Sequence, residues 1–161
     1  MEQKSICKLG DILEFSSGLI AKNGKSSIIS DKPQKDGKWQ PGLTSGKEIT
    51  PDGTINYQGK FINIDPSKIK SGLKNVDYSK DKILIRQTGD RIVSAVDRSG
   101  LLVLNNIHVG IARQVGIDLE QLSKYLNSRE VCLYYQAVTL EANRPMAQID
   151  LETLRELPVI L

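Results

Sequence analysis

Short apolar runs separated by glycine-containing turns occupy the middle of the chain. The runs are rich in Ile and Val and are too short to form amphipathic helices. Turn residues separate them at Thr88-Gly89-Asp90 and at Asp97-Arg98-Ser99-Gly100. These features predict an antiparallel meander with strands at residues 83–85, 92–96, 101–104 and 107–111. The second run barely alternates, so we expect both its faces to be covered, one of them by the helices that follow.

The N-terminal half has a weaker pattern. Residues 8–15 predict an initial strand or a single helical turn, and residues 43–49, 54–57 and 60–64 predict further short strands. Residues 21–46 are the most polar part of the chain and predict a long loop. Residues 65–78 predict a connector with at most one helical turn.

The periodicity becomes helical near the C-terminus. Asp118 precedes apolar residues at helical spacing, and Gln121 three residues later predicts a capping box. A second helical segment covers residues 131–138, residues 142–148 form a loop, and Asp150 caps a short turn through Leu154. We therefore predict an α+β fold, a twisted, mainly antiparallel β-sheet with C-terminal helices packed on it, in a single domain of residues 1–161.

The composition narrows the class of protein only slightly. The 161 residues are 39% hydrophobic and 25% charged, with a net charge of +3. This balance permits an anionic partner without requiring one. Because no apolar run is long enough to span a membrane and the N-terminus lacks the apolar core of a signal peptide, we expect a cytoplasmic protein without membrane contact. Cys7 and Cys132 lack metal-binding spacing, so we expect buried free thiols.

The sequence offers little for catalysis. It has one histidine and contains no nucleophile elbow, P-loop or dinucleotide fingerprint, and the N/D-PP-Y/F motif of amino-methylating enzymes is absent too. Asp31, Asp36 and Lys38 could form a nuclease-like metal site, but a Pro/Gly/Lys-rich loop would not hold them rigidly. We expect no metal, no cofactor and no catalytic activity in this chain.

Polar side chains gather where strands of the predicted meander begin or end: Arg86, Gln87, Thr88, Arg91, Asn105, Asn106 and His108. These residue types can bind base edges or phosphates through fixed donor and acceptor geometry. For each of these residues taken alone, the alternative is an ordinary turn residue, because turns also collect polar side chains for local reasons. The polar stretch 21–46 holds five lysines against two aspartates, which suits either phosphate contact or a solvated loop.

Several segments in a fixed order resemble a known family. KLGDILEFSSGL, ILIRQTGDRIVSAVD, LLVLNNIHVGI and MAQIDLETLRELPV follow one another along the chain. Together they resemble the target-recognition domain of restriction-modification systems, the TaqI-like C-terminal specificity domain, which is similar to half of a Type I specificity subunit. The resemblance implies recognition of double-stranded DNA for a fused or associated adenine methyltransferase or restriction subunit, with catalysis residing elsewhere.

The resemblance also implies positions for DNA contact, although not their identities, because recognition residues differ between members with different target sites. Arginine suits guanine and glutamine suits adenine in the major groove. The resulting candidate DNA-binding residues are Lys22, Lys25, Lys38, Lys47, Tyr57, Lys60, Arg86, Gln87, Thr88, Arg91, Asn105, Asn106 and His108.

The alternative function is a protein-docking module for a methyltransferase or nuclease subunit, without base readout. Its anchors would be Leu133, Tyr134 and Tyr135 on the second helix, if these side chains are exposed.

Overall fold

Most of the strands come first along the chain and three of the four α-helices follow them near the C-terminus, an order that confirms the predicted α+β class. A computed structural model of the chain describes residues 4–160, so positions 1–3 and 161 of the predicted domain lie outside it. The strands are β1 (Ile6–Lys8), β2 (Leu13–Ser17), β3 (Ile20–Ala21), β4 (Ile29–Ser30), β5 (Trp39–Leu43), β6 (Phe61–Asn63), β7 (Ile69–Ser71), β8 (Lys82–Arg86), β9 (Ser94–Asp97), β10 (Leu102–Val103), β11 (Ile107–Ala112) and β12 (Pro158–Ile160). The α-helices are α1 (Leu9–Ile12), α2 (Leu119–Leu126), α3 (Arg129–Thr139) and α4 (Leu151–Glu156).

Two four-stranded sheets carry most of the strands. The first has the order β2-β11-β8-β9 and is antiparallel throughout. The second has the order β10-β5-β6-β4, in which only β10 and β5 run parallel. Two smaller sheets pair β1 with β12 and β3 with β7.

The predicted meander is correct in its strands but wrong in their order. β8 and β9 pair as neighbours, but β10 joins the second sheet and β11 returns to pair with β8. Residues 101–104 are all buried, and Leu19 N donates to Val103 O at 2.8 Å. β10 is therefore a buried strand of the second sheet and does not extend the first sheet beyond β9.

Other errors fall in the N-terminal half. The predicted strand at residues 43–49 is wrong, because β5 ends at Leu43 and Gly46–Glu48 forms a 3-10 turn. Residues 54–57 hold no strand beyond a bridge between Ile49 and Ile55. The predicted loop 21–46 contains β4 and β5, whereas β6 confirms the strand predicted at residues 60–64. Residues 8–15 contain both predicted alternatives, the helical turn α1 and then β2.

The central strand β8 separates two hydrophobic clusters. Ile83 and Ile85 pack with the helices through residues such as Leu122. Leu84 points to the other side and packs with the second sheet, including Leu43. Each side chain of β8 from Lys82 to Ile85 is fully buried. The residues at the ends of β8 are therefore held by packing on both faces of the strand.

β9 has both faces covered, as predicted. Ala95 packs in the cluster toward the second sheet. On the other face, Ser94 Oγ lies 2.8 Å from Ser123 Oγ of α2. Where β9 ends, the buried Lys82 Nζ contacts Asp97 Oδ2 at 2.6 Å and donates to Tyr78 O at 2.7 Å. This ion pair joins β8 to the turn that follows β9, since Asp97 Oδ2 also accepts the amide of Leu101.

Helices α2 and α4 begin at the predicted capping residues. Asp118 accepts the amide of Gln121 at 3.1 Å, which is one half of the predicted capping box, and Asp150 caps α4. No helix within residues 4–160 is long and apolar enough to cross a membrane. Cys7 and Cys132 are free, but both are partly exposed, which corrects the expected burial.

Candidate nucleic-acid interface

The end of β8 and the start of β11 bring five polar residues together. Arg86 pairs with Ile107 in the register of the sheet, and Gln87 N donates to Asn106 O at 3.0 Å. This alignment unites two segments that lie some twenty positions apart in the sequence. The five residues, which we call the strand-end cluster, are Arg86, Gln87, Thr88, Asn105 and Asn106.

Arg86 is the anchored member of the strand-end cluster. Its Nε donates to Gly46 O at 2.9 Å and to Ile49 O at 2.8 Å. Its two Nη nitrogens make no hydrogen bond with any residue from 4 to 160. The protein thus fixes the plane of this half-buried guanidinium and leaves its terminal N–H groups for another acceptor.

The surroundings of Arg86 are positive. Burial lowers the pKa of Arg86, and the neighbouring charge of Arg91 lowers it further. Neither arginine forms an ion pair among the described residues. Two neighbouring guanidinium groups, neither of them in an ion pair with a described carboxylate, make a site that an anion would stabilise.

Glu48 organises the loops beside the strand-end cluster, a role that the sequence analysis missed. Its side chain is 4% exposed. Oε2 accepts the amides of Thr44 at 2.8 Å and Ser45 at 3.1 Å, and Oε1 accepts the amide of Gln58 at 3.1 Å. The signal was present, because Ser45 and Glu48 have the spacing of a capping box and form one in the structure.

Glu48 thereby fixes the backbone next to two candidate residues, Lys47 and Tyr57. Both are exposed and adjoin residues that the Glu48 carboxylate or backbone holds. The Tyr57 hydroxyl donates to Lys60 O at 2.5 Å. The same loop reaches the strand-end cluster through Asn106, whose Nδ2 donates to Thr44 O at 3.0 Å.

The segment before α4 also joins this surface, which the sequence pattern did not indicate. Ile149 N donates to Gln87 O at 2.6 Å, and Gln148 forms a bridge with Thr88. Asn143 and Met146 have positive φ angles of 59° and 57°, a conformation that non-glycine residues adopt rarely. Gln148 is an exposed polar residue beside the cluster, so we add it to the candidate set. Asn143 is exposed too, but its amide donates to Asp90 Oδ2 at 3.0 Å, outside the cluster.

His108 is a structural residue, which corrects its inclusion among the candidates. It is 3% exposed, with Nε2 2.7 Å from Ile149 O and Nδ1 3.2 Å from Ser17 Oγ. Burial lowers the pKa of His108, although the Ile149 carbonyl and Asp150 act in the opposite direction. The side chain lies within a strand covered on both faces, so it holds the 147–150 segment and cannot reach a partner.

Four of the candidate lysines lie elsewhere. Lys22, Lys25 and Lys38 are exposed, and no described contact joins them to the strand-end cluster. Lys60 forms an ion pair with Asp31, which compensates its charge. The structure therefore unites the strand-end residues with Lys47, Arg91 and Tyr57 but does not unite them with these lysines.

The alternative metal site has no support in the described residues. Within positions 4–160 no three His, Cys, Asp or Glu side chains lie close enough to hold a metal ion. Asp31 contacts Lys60, and the carbonyl of Asp36 accepts the Trp39 indole N–H at 2.6 Å.

Most of this surface lies inside one conserved type of domain. Residues 42–159 match the family model described as the TaqI-like C-terminal specificity domain. The chain belongs to this family. The match confirms the resemblance inferred from the sequence segments, and it covers the strand-end cluster, Glu48 and helices α2, α3 and α4. As a member of a family of specificity domains, the chain is a non-catalytic module.

Two solved structures share the fold of the specificity domain. One is the HsdS subunit from Thermoanaerobacter tengcongensis, with 13% identity and a TM-score of 0.56 over 98% of this chain and 33% of that chain. The other is the Type-I restriction-modification system S subunit from M. genitalium, with 16% identity and a TM-score of 0.54 over 99% of this chain and 34% of that chain. The specificity domain thus spans about a third of each subunit. No curated protein matches its sequence.

Proposed function

We propose that the specificity domain recognises a short sequence in double-stranded DNA and so directs a restriction-modification enzyme to its target. The observation that carries this proposal is the anchored guanidinium of Arg86, with its Nη groups unused and no carboxylate paired with it. An arginine fixed in this way loses little conformational freedom when it binds. The most suitable acceptor for its remaining N–H groups is a phosphate or the edge of a base.

Base contacts are assigned to the strand-end cluster. Arg86 is suited to guanine O6 and N7, and Gln87 to adenine N6 and N7, each pair giving about 1–3 kcal/mol of discrimination. Thr88 and Asn105 are exposed beside them and complete the polar edge. Asn106 acts as a positioning residue, because its amide nitrogen is already bonded to Thr44 O.

Phosphate contacts are assigned to the exposed cations. Lys47 and Arg91 adjoin the strand-end cluster, whereas Lys22, Lys25 and Lys38 would meet DNA only along a longer footprint. Contacts of this kind supply affinity without sequence information and weaken as salt rises. Lys60 contributes least, because Asp31 compensates its charge.

The partner in this proposal is a fused or associated adenine methyltransferase or restriction subunit, which would perform the chemistry. The names of the two structural neighbours, both specificity subunits, support it.

The test measures DNA binding by fluorescence anisotropy with a pool of randomised duplexes at two salt concentrations, followed by sequencing of the bound fraction. Arg86→Lys keeps the charge but removes the planar fork, so the enriched motif should lose its preference at one guanine while residual affinity remains. Gln87→Ala should relax a different position. Arg113→Lys is the matched control, because Arg113 Nε also donates to a backbone carbonyl, that of Gly10, away from the cluster.

Two results would contradict the proposal. One is the absence of binding at low salt by a chain that circular dichroism shows to be folded. The other is an enriched motif that Arg86→Lys and Gln87→Ala leave unchanged, which would assign base recognition to other residues.

A further inference from the structure

The outer face of α3 is apolar, and no residue from 4 to 160 covers it. Tyr134 and Val138, one helical turn apart, are 45% and 56% exposed and lie on one stripe of the helix, and Leu133 beside that stripe is 55% exposed. The neighbouring stripe, which includes Tyr135 at 1% exposure, is buried in the core, so Tyr135 is not the docking anchor expected from the sequence. A surface helix normally has one apolar stripe, and a second one indicates a contact surface.

Two hollows flank Tyr134. One has a volume of about 300 Å³ and lies between Tyr134 and Val138 of α3 and the residues of α4 up to Leu157. The other has a volume of about 210 Å³ and is lined by Tyr134, Leu157 and Pro158 among others. Since they share Tyr134 and Leu157, the two hollows form one surface, which we call the α3–α4 groove.

The α3–α4 groove has an acidic rim. Its lining includes Glu130, Asp150, Glu152 and Glu156 but no lysine or arginine. Glu156 pairs with Lys8, whereas Glu130 and Glu152 form no ion pair among the described residues. The chain as a whole carries a net charge of +3, so this local excess of carboxylates runs against the overall balance. An occupant that complements it is apolar in the middle and positive at its edges.

We propose that the α3–α4 groove binds a basic amphipathic helix of a partner protein. Its apolar side chains would lie on Tyr134 and Val138, and its Lys or Arg residues would meet Glu130 and Glu152. Helix α3 has 11 residues, which is about 16 Å of helix and therefore enough for roughly three turns of a partner. None of the candidate DNA-binding residues lines the groove, so one molecule can bind DNA and this helix together.

The test uses the full chain and a fluorescein-labelled peptide of about 14 residues, or roughly four helical turns. The peptide carries Leu on one face and Lys at the edges, and its matched control has Glu in place of every Lys. Binding is measured by anisotropy, and the helicity of the bound peptide by circular dichroism. The protein variants are Tyr134→Ala and the double variant Glu130→Gln/Glu152→Gln, with Val115→Ala as a control at a fully exposed apolar residue outside the groove.

The Lys peptide should bind as a helix, and the Glu peptide should not. Tyr134→Ala should weaken binding about tenfold, as loss of an aromatic anchor does. The double charge variant should weaken binding and reduce its dependence on salt, and Val115→Ala should leave the affinity unchanged. DNA binding should be unaffected in all these variants, which separates this proposal from the proposed function.

Three results would overturn the proposal. The first is no binding of the Lys peptide at roughly millimolar concentration, and the second is equal binding of the Lys and Glu peptides. The third comes from sedimentation velocity without peptide: a dimer that Tyr134→Ala abolishes would assign the groove to a second copy of the chain.

Discussion

Glu48 offers a direct test of whether one buried carboxylate holds the loops beside the strand-end cluster. Its oxygens accept three backbone amides, from Thr44, Ser45 and Gln58. Its own carbonyl accepts a fourth, from Asn56 at 2.6 Å. The substitution Glu48→Gln keeps the shape of the side chain and removes its charge, so the change in stability reports on these hydrogen bonds.

The expected change in the free energy of unfolding follows from the number of backbone donors that lose their acceptor. The glutamine oxygen can still accept from Thr44 and Ser45, but its NH₂ group then faces the Gln58 amide, donor against donor. A hydrogen bond to a charged group contributes about 1.5–3 kcal/mol, so Glu48→Gln should lower the free energy of unfolding by about 2 kcal/mol. Glu48→Ala leaves all three donors without the carboxylate, and should cost about 4 kcal/mol because water reaches only part of this region.

The assay is urea unfolding followed by circular dichroism, paired with the DNA anisotropy measurement. Glu14→Gln is the control, since Glu14 is exposed on β2 and away from these loops. Both Glu48 variants should also weaken DNA binding, because Lys47 and Tyr57 lose their fixed positions. A stability change below about 0.5 kcal/mol, the range of ordinary surface substitutions, would refute the structural role of Glu48. Unchanged DNA affinity in a destabilised variant would refute its link to the interface.

Further predictions concern the core. Asp97→Asn should lower the free energy of unfolding by about 3–5 kcal/mol in urea, because it leaves the buried Lys82 ammonium unpaired. Burial raises the pKa of Asp97, but hydrogen bonds from Lys82 and the adjacent turn lower it more. The native pKa is therefore below its ordinary value of about 3.9, so the stabilisation is present above about pH 4 and is lost as the pH falls through the native pKa. Unfolding at several pH values checks this, and Asp97→Asn should lack the dependence. Burial lowers the pKa of His108, so stability should also fall as the pH drops below about 6.5. A His108→Asn variant with an unaltered pH profile would contradict that. Gly18→Ala would put a Cβ 2.3 Å from Leu104 O, and thermal unfolding should show a loss of at least about 2 kcal/mol.

Local signals in the sequence predicted local structure well. Asp118 and Asp150 cap the helices that they were expected to cap, because a cap depends only on the few residues that follow it. The strands rich in Ile and Val were found for the same reason. The apolar runs around β8 and β11 predict strands whatever their neighbours in the sheet.

Pairing between distant strands could not be predicted in the same way. The meander hypothesis assumed that strands close in sequence are neighbours, whereas β10 pairs with β5 across some sixty positions. Strand β5 itself was missed because Pro41 and Gly42 lie within it and are rare in strands. Its place in the sheet is set by tertiary contacts on both sides, which a short window of sequence does not contain.

In the candidate interface, too, the residues with a local signal in the sequence could be predicted, and those brought in by tertiary structure could not. Arg86 and Gln87 were predicted at a strand end and lie there, although their contact with DNA stays a prediction. Glu48 could have been found from its capping-box spacing with Ser45. By contrast, Gln148 adjoins Thr88 only through tertiary structure. His108 was misassigned because a polar residue in a strand buried on both faces belongs to the core.

Strand β8 connects the proposed DNA-binding surface with the proposed docking groove. Arg86 is at its end, and Ile83 and Ile85 of the same strand pack with the helices that form the α3–α4 groove. Because β8 is buried on both faces, the guanidinium and the groove belong to one closely packed body, and packing resists relative movement between them. If both proposals hold, a partner helix in the groove stands at a fixed distance from a base bound by Arg86. Fixed spacing between recognition and catalysis is what an enzyme needs in order to act at one defined position in its target sequence.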